Sequence, residues 1–182
     1  GSTTKVRCVD VAGLIAAAVL RNNKLAEVLP FDTKVHHVEL NPRDSVMTNA
    51  VKLARNGGGT DCSCALKHLN DRGATGDAVF FVSDNESWVD SGYGYGYGSG
   101  TGMLSEWTKF KARNPKARLI CTDLTPRGNS QVNDHKDILQ VGGWSDTVFD
   151  VVASFIEHGT TDDHWVNMIN SINLDEVTAK DE

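Results

Sequence analysis

The sequence predicts an α/β protein built on a doubly wound, mostly parallel sheet with one antiparallel edge strand. Three observations carry that expectation. Asp77-Ala78-Val79-Phe80-Phe81-Val82 and Ala117-Arg118-Leu119-Ile120-Cys121-Thr122-Asp123-Leu124 contain near-continuous apolar runs of strand length, the composition of strands covered on both faces. Stretches with helical periodicity separate them, and that alternation builds parallel sheets. Leu25–Pro30 and Lys34–Leu40 read as strands joined by a turn at Phe31-Asp32-Thr33, a connection so short that it demands an antiparallel hairpin.

The elements follow in order. Thr3 or Thr4 can cap a helix from about Lys5 to Asn22, with Val6, Val9, Leu14, Ala17, Ala18 and Leu20 as its apolar stripe and Arg21 in its last turn. A competing reading makes Lys5–Val9 a strand, with Asp10 opening a metal loop. The alanine run and the lack of turn residues after Asp10 favour the helix. After the hairpin, Pro42 introduces a helix from Asp44 to Arg55, capped by Asp44 or Ser45. Gly57–Gly59 stop it. The next helix begins at Asp61 or Cys62 and ends near Asn70, and Gly73 and Gly76 punctuate the chain before the strand Asp77–Val82. Gly92-Tyr93-Gly94-Tyr95-Gly96-Tyr97-Gly98-Ser99-Gly100 is low in complexity and reads as a surface loop. A helix over Met103–Arg113 ends at Pro115, and the strand Ala117–Leu124 follows. Ile138–Val141 is a short strand turned by Gly142-Gly143, and Ser145 or Asp146 caps a helix over Thr147–Glu157. An amphipathic helix at Asp162–Ile172 and a charged tail at 175–182 complete one domain, 5–174, behind linker residues 1–4, where Gly1-Ser2 reads as a cloning scar.

A chain of 182 residues buries roughly 70% of its unfolded surface, so its core needs no disulfide or metal. The net charge of −6 argues against a stand-alone nucleic-acid binder, which shows a basic face. An acidic chain can still sit beside a basic module. Cys62-x-Cys64 lacks the two-residue gap of a zinc knuckle or redox motif, so Cys8, Cys62, Cys64 and Cys121 read as reduced, mostly buried thiols in a cytoplasmic setting. The longest apolar run, Val11–Leu20, is too short to span a bilayer. The histidines (His36, His37, His68, His135, His158 and His164) show no metal-ligand spacing. Neither Gly-x-Gly-x-x-Gly nor Gly-x-Ser-x-Gly occurs, and no nucleophile stands beside an evident base, which speaks against an enzyme.

Chemistry concentrates in two loops. Gly57-Gly58-Gly59-Thr60-Asp61 delivers a hydroxyl and a carboxylate to a helix start, and Ser83-Asp84-Asn85-Glu86 follows a buried strand. Ligands bind open α/β sheets at the carboxyl ends of their strands, and hard oxygens from two loops there suit a cation such as Mg²⁺. Thr60 caps the helix or ligates the cation, roles that are compatible. Asp61 is the cap or an acceptor for Thr60. Asp84 reads as a ligand position, with Asn85 and Glu86 beside it, and Asp123 occupies the same place after the next strand. The tyrosine-glycine repeat has rings that stack on bases, but no Arg or Lys falls between Ser83 and Met103 to attract phosphates.

These residues resemble a family. Gly58-Gly59-Thr60-Asp61-Cys62, Phe81-Val82-Ser83-Asp84-Asn85-Glu86 and Leu119-Ile120-Cys121-Thr122-Asp123-Leu124, in this order of elements, resemble the von Willebrand factor type A domain at the carboxyl end of Ro (TROVE) ribonucleoproteins, from about Lys5 to Leu174. The resemblance implies a metal-ion-dependent adhesion site (MIDAS) for magnesium, fed by an Asp-x-Ser-x-Ser loop, a threonine and an aspartate. It maps the threonine to Thr60 and the aspartate to Asp84, with Asp61, Ser83, Asn85, Glu86 and Asp123 as supporting or partner-binding positions. No Asp-x-Ser-x-Ser occurs; the nearest string, Asp10-Val11-Ala12-Gly13-Leu14, has no hydroxyls. The sequence thus reads as starting after the family's first strand and first metal loop. The site is expected to be partial, with Mg²⁺ weak or absent. The lost strand is central, so two inner strands keep unpaired edges that drive strand exchange or dimerisation, and a homodimer, domain-swapped or not, is expected. The implied function is a non-catalytic binding domain of a Ro-like RNA-binding protein, whose ring of helical repeats binds small or misfolded RNA. The alternative is a metal-dependent protein-interaction domain with no RNA role. A hydrolase at the same edge predicts turnover lost on Asp84→Ala.

Overall fold

The computed structural model of the chain describes residues 6–54, 61–83, 102–125, 136–145 and 147–159. They form α1 (Cys8–Asn22), α2 (Val46–Leu53), α3 (Cys62–Asp71), β1 (Ala78–Ser83), α4 (Gly102–Arg113), β2 (Arg118–Asp123), β3 (Ile138–Gly142) and α5 (Val148–His158). The three strands make a parallel sheet in the order β1-β2-β3. Ala78 lies opposite Arg118 and Ser83 opposite Asp123, while Leu119 lies opposite Ile138 and Asp123 opposite Gly142.

Because side chains alternate across a strand, that register sorts the apolar runs into two layers. Phe81, Leu119, Cys121 and Ile138 meet Cys62, Ala65, Leu66, Met103, Trp107 and Phe110 from α3 and α4. On the other face Ile120, with Phe80, Leu139 and Val141 around it, meets Val148, Val152 and Phe155 of α5. The doubly wound parallel architecture is therefore present.

A separate packing group joins α1 to α2 through Ala17, Ala50 and Leu53. The helices run antiparallel, since Arg7 Nη2 donates to Ala54 O (3.1 Å) and Arg21 Nη1 to Asp44 O (2.9 Å) at opposite ends. Gly13 sets the crossing: a Cβ there would lie 3.0 Å from Ala50 O and 3.3 Å from Leu53 Cβ. This close approach turns α1 away from the expected stripe. Gly13, Ile15, Ala17 and Leu20 are buried, whereas Val6 and Leu14 face solvent. The helix also starts three residues later than expected, after Arg7, so Thr3 and Thr4 do not cap it.

The strands expected over Leu25–Pro30 and Lys34–Leu40 do not form. The reversal survives as an isolated antiparallel bridge between Phe31 and Val35, closed by Asp32 N–H to Lys34 O (3.1 Å) and His36 N–H to Pro30 O (2.7 Å). A two-stranded ribbon that does not join a sheet is marginal in water, and Pro30 brings no donor to extend the pairing. The turn is held by its side chains instead: the Phe31 ring meets Phe81 edge-on at 5.6 Å. The antiparallel edge thus shrinks to one bridge among the described residues.

The remaining boundaries fall close to expectation. Ser45 caps α2, accepting Thr48 N–H at 3.0 Å. The cap position of α5 is Thr147 rather than Ser145, with no side-chain cap bond; the Ser145 carbonyl accepts Val148 N–H (3.1 Å). Asp146, the tyrosine-glycine repeat and the expected helix at Asp162–Ile172 lie outside the described residues. All four thiols are free, with Cys62 and Cys121 buried and Cys8 and Cys64 partly so. Among the described residues no helix is long and apolar enough to cross a membrane.

Candidate functional site

Parallel pairing in register brings the last residues of β1 and β2, Ser83 and Asp123, side by side at the carboxyl edge of the sheet. Ser83 O accepts Leu124 N–H at 2.9 Å, and Asp123 O accepts Gly143 N–H at 2.7 Å. Gly143 leaves β3 at φ +82°, a left-handed turn that suits glycine. Asp123 Oδ1 accepts Thr125 N–H at 2.9 Å, so this carboxylate also organises the loop that follows.

The third element at this edge is the start of α3. Asp61 is its N-cap, with Oδ1 accepting both Ser63 N–H (2.9 Å) and Ser63 Oγ–H (2.6 Å). A carboxylate here satisfies an otherwise orphan amide and complements the positive end of the helix. Cys62, one residue on, packs in the same layer as Phe81 and Cys121, each two residues before Ser83 or Asp123. That packing sets the N-terminus of α3 over the carboxyl halves of β1 and β2.

A residue without a sequence signature completes the support. Asp32 O accepts Asp61 N–H at 2.7 Å, which ties the Phe31–Val35 turn to the base of the glycine loop. The side chain of Asp32 accepts Lys34 N–H (3.1 Å) through Oδ1, while His36 Nε2 lies 2.7 Å from Oδ2, off the line on which a ring N–H donates best. The neighbouring His36 holds the Asp32 carboxyl below the usual carboxylate range, against the opposing effect of desolvation. Cys64 sits against the same turn, its Sγ 4.0 Å from Asp32 O. Burial, with Asp61 and Asp32 adding to it, pushes that thiol up to about 11. Cys121 is pushed up by burial too. These two thiols are held protonated at neutral pH, which makes them poor nucleophiles.

Of the seven residues read as site positions, Asp61, Ser83 and Asp123 are brought to one edge, whereas Thr60, Asp84, Asn85 and Glu86 lie outside the described residues. Asp10 sits in the first turn of α1, where its carboxylate accepts Arg7 N–H (2.8 Å) and pairs with the Arg7 guanidinium (2.8 Å). The helix reading of that segment holds over the metal-loop reading. Among the described residues no group of three or more His, Cys, Asp or Glu is arranged to hold a metal ion. Asp61 and Asp123 each already serve a local turn.

Asp61→Ala is expected to cost about 1 kcal/mol of folding stability through the lost cap. Urea unfolding measures it. Asp61→Asn should cost much less, because an amide oxygen also accepts Ser63 N–H; equal losses in the two variants would assign the effect to charge alone.

Comparison with known proteins follows the same lines. The sequence model of the family described as the Ro60 vWA domain matches residues 1–156. No curated protein matches the chain. Among solved structures, the crystal structure of the Deinococcus radiodurans RO (RSR) protein is similar with a TM-score of 0.67 at 19% identity. The similarity covers 86% of this chain and 30% of that one, so this chain spans less than a third of the length of the bacterial protein. At that identity the structural likeness speaks for the fold alone, whereas the family match extends over most of the sequence: the chain belongs to the Ro60 vWA domain family.

Proposed function

We propose that this chain is a non-catalytic binding domain of a Ro-like RNA-binding protein, and that RNA is handled by other modules of that protein. Family membership over residues 1–156 carries the reading. The acidic balance of the chain supports leaving RNA to a basic neighbour. Cys64 and Cys121, both held protonated by burial, are poor nucleophiles, which supports a non-catalytic reading. Thr60 and Asp84, each next in sequence to a residue of the described edge, are the ligand positions of a partial, degenerate adhesion site, which takes an acidic group of a protein ligand only with oxygens from another segment. Mg²⁺ binds there weakly or not at all. The setting is cytoplasmic, and the chain pairs with itself as a homodimer.

Two titrations test this. At a concentration equal to its dissociation constant, a cation stabilises the fold by only about 0.4 kcal/mol, so millimolar Mg²⁺ should hardly move the melting temperature. A large, saturable shift that disappears in Asp84→Ala would show a working metal site and favour the metal-dependent protein-interaction reading. Tight retention of a small structured RNA by this chain at moderate salt would sink the assignment of RNA to other modules.

A further inference from the structure

The helix pair α1–α2 meets along a seam whose exposed side is apolar. Arg7, Leu14 and Arg21 recur at intervals of seven and so share one stripe of α1. Both arginines reach across to α2, Arg7 to Ala54 O (3.1 Å) and Arg21 to Asp44 O (2.9 Å), so that stripe follows the seam. On the other side Asp44, Met47, Val51 and Ala54 come at intervals of three and four, the spacing of one helix face. The approach of Gly13 to Ala50 sets Leu14 level with this row. Leu14 is 43% exposed, Val51 56% and Met47 62%. The two guanidinium bridges stand about 21 Å apart by helical rise, with these three apolar side chains between them.

Single exposed apolar residues need no explanation, but a row shared by two elements marks a contact surface. The groove between two antiparallel helices fits a third helix, which lays its apolar face along it. Charge selects among such helices. Arg7 pairs with Asp10 (2.8 Å) and Asp44 with Lys52 (3.2 Å), so those four groups cancel. Arg21 ends beside Asp44, next in sequence to the exposed Arg43, and the exposed Lys24 follows three residues on. Among the described residues Arg21, Lys24 and Arg43 take no ion pair. One end of the groove is therefore positive, although the chain as a whole carries −6. That total disfavours a long polyanion, whereas a short helix feels chiefly the charge within a Debye length, about 10 Å.

We propose that the α1–α2 seam is a docking groove for an amphipathic helix of a partner protein, with apolar side chains on Leu14, Met47 and Val51 and carboxylates at the Arg21 end. Calorimetric titration of the full chain with two synthetic helices tests it. Both helices carry the same leucine stripe; one bears glutamates at one end and the other lysines. The glutamate helix should bind saturably, and the lysine helix about tenfold more weakly. Val51→Glu should weaken the glutamate helix about tenfold with the unfolding midpoint unchanged, because that side chain is exposed. Arg21→Glu should reverse the preference toward the lysine helix, a swap that loss of structure cannot produce. Binding of neither helix, equal binding of both, or binding that ignores both substitutions overturns the groove. A dimer on a sizing column that Val51→Glu splits puts a second copy there and overturns the partner. Co-sedimentation with phosphatidylserine vesicles that the same substitution abolishes overturns it in favour of a membrane surface.

Discussion

Trp107→Ala is expected to remove about 3–5 kcal/mol of folding stability, a large share of what a domain of this size holds. Trp107 is 2% exposed and stacks on Phe110 with ring centroids 5.8 Å apart. It belongs to the layer that contains Cys62, Phe81 and Cys121, so the cavity opens beneath the first turn of α3. Trp107→Phe separates the causes. The indole Nε1 is buried and finds no acceptor, so the phenyl ring removes an unpaired donor along with some volume. The smaller cavity costs about 1 kcal/mol, and relief of the desolvated N–H offsets part of it. Urea midpoints at constant m-value measure both variants. Equal losses for Phe and Ala would place the effect in the indole nitrogen rather than in packing.

The strands that form this layer were legible because their signal is local. The runs Ala78–Val82 and Leu119–Thr122 can only be covered on both faces, and they became β1 and β2. The same holds for the cap of α3, since an aspartate after a glycine run and before a helical pattern has few other roles. What escaped depends on distant partners. Leu14 fits a helical stripe as well as Gly13 does, until Gly13 meets Ala50 O and fixes which side of α1 faces α2. The reversal at Phe31-Asp32-Thr33 was readable, but strands need a sheet to join, and Phe31 packs on Phe81 through its side chain instead. For the site, residue type was readable and support was not. The bond from Asp61 N–H to Asp32 O uses a backbone carbonyl 29 positions away, as the residue numbers show, and a carbonyl leaves no mark on a sequence.

Phe155→Ala should be as costly, about 3–5 kcal/mol, yet disturb the other side of the sheet. Phe155 is 0% exposed and anchors the α5 layer against Ile120. Its ring also seats the Arg118 guanidinium at 5.3 Å, and Arg118 Nε donates to Ile156 O at 3.2 Å. The chain clears that guanidinium by turning at Gly159 with φ +73°, where a Cβ would lie 2.5 Å from Arg118 Nη1. Phe155→Leu keeps most of the volume and loses the ring, so it should cost about 1–1.5 kcal/mol, of which the cation–π contact is about half. The location of the damage is the sharper readout. Native-state amide exchange should show protection lost in α5 and β3 for Phe155→Ala, with Ser63 N–H at the cap of α3 still protected; Trp107→Ala should show the reverse. That contrast follows from the register, which sends Ile120 to one layer and Cys121 to the other. Identical exchange patterns in the two variants would mean that the layers open as one unit. The carboxyl edge would then depend on the whole core and not on the α3 and α4 side alone.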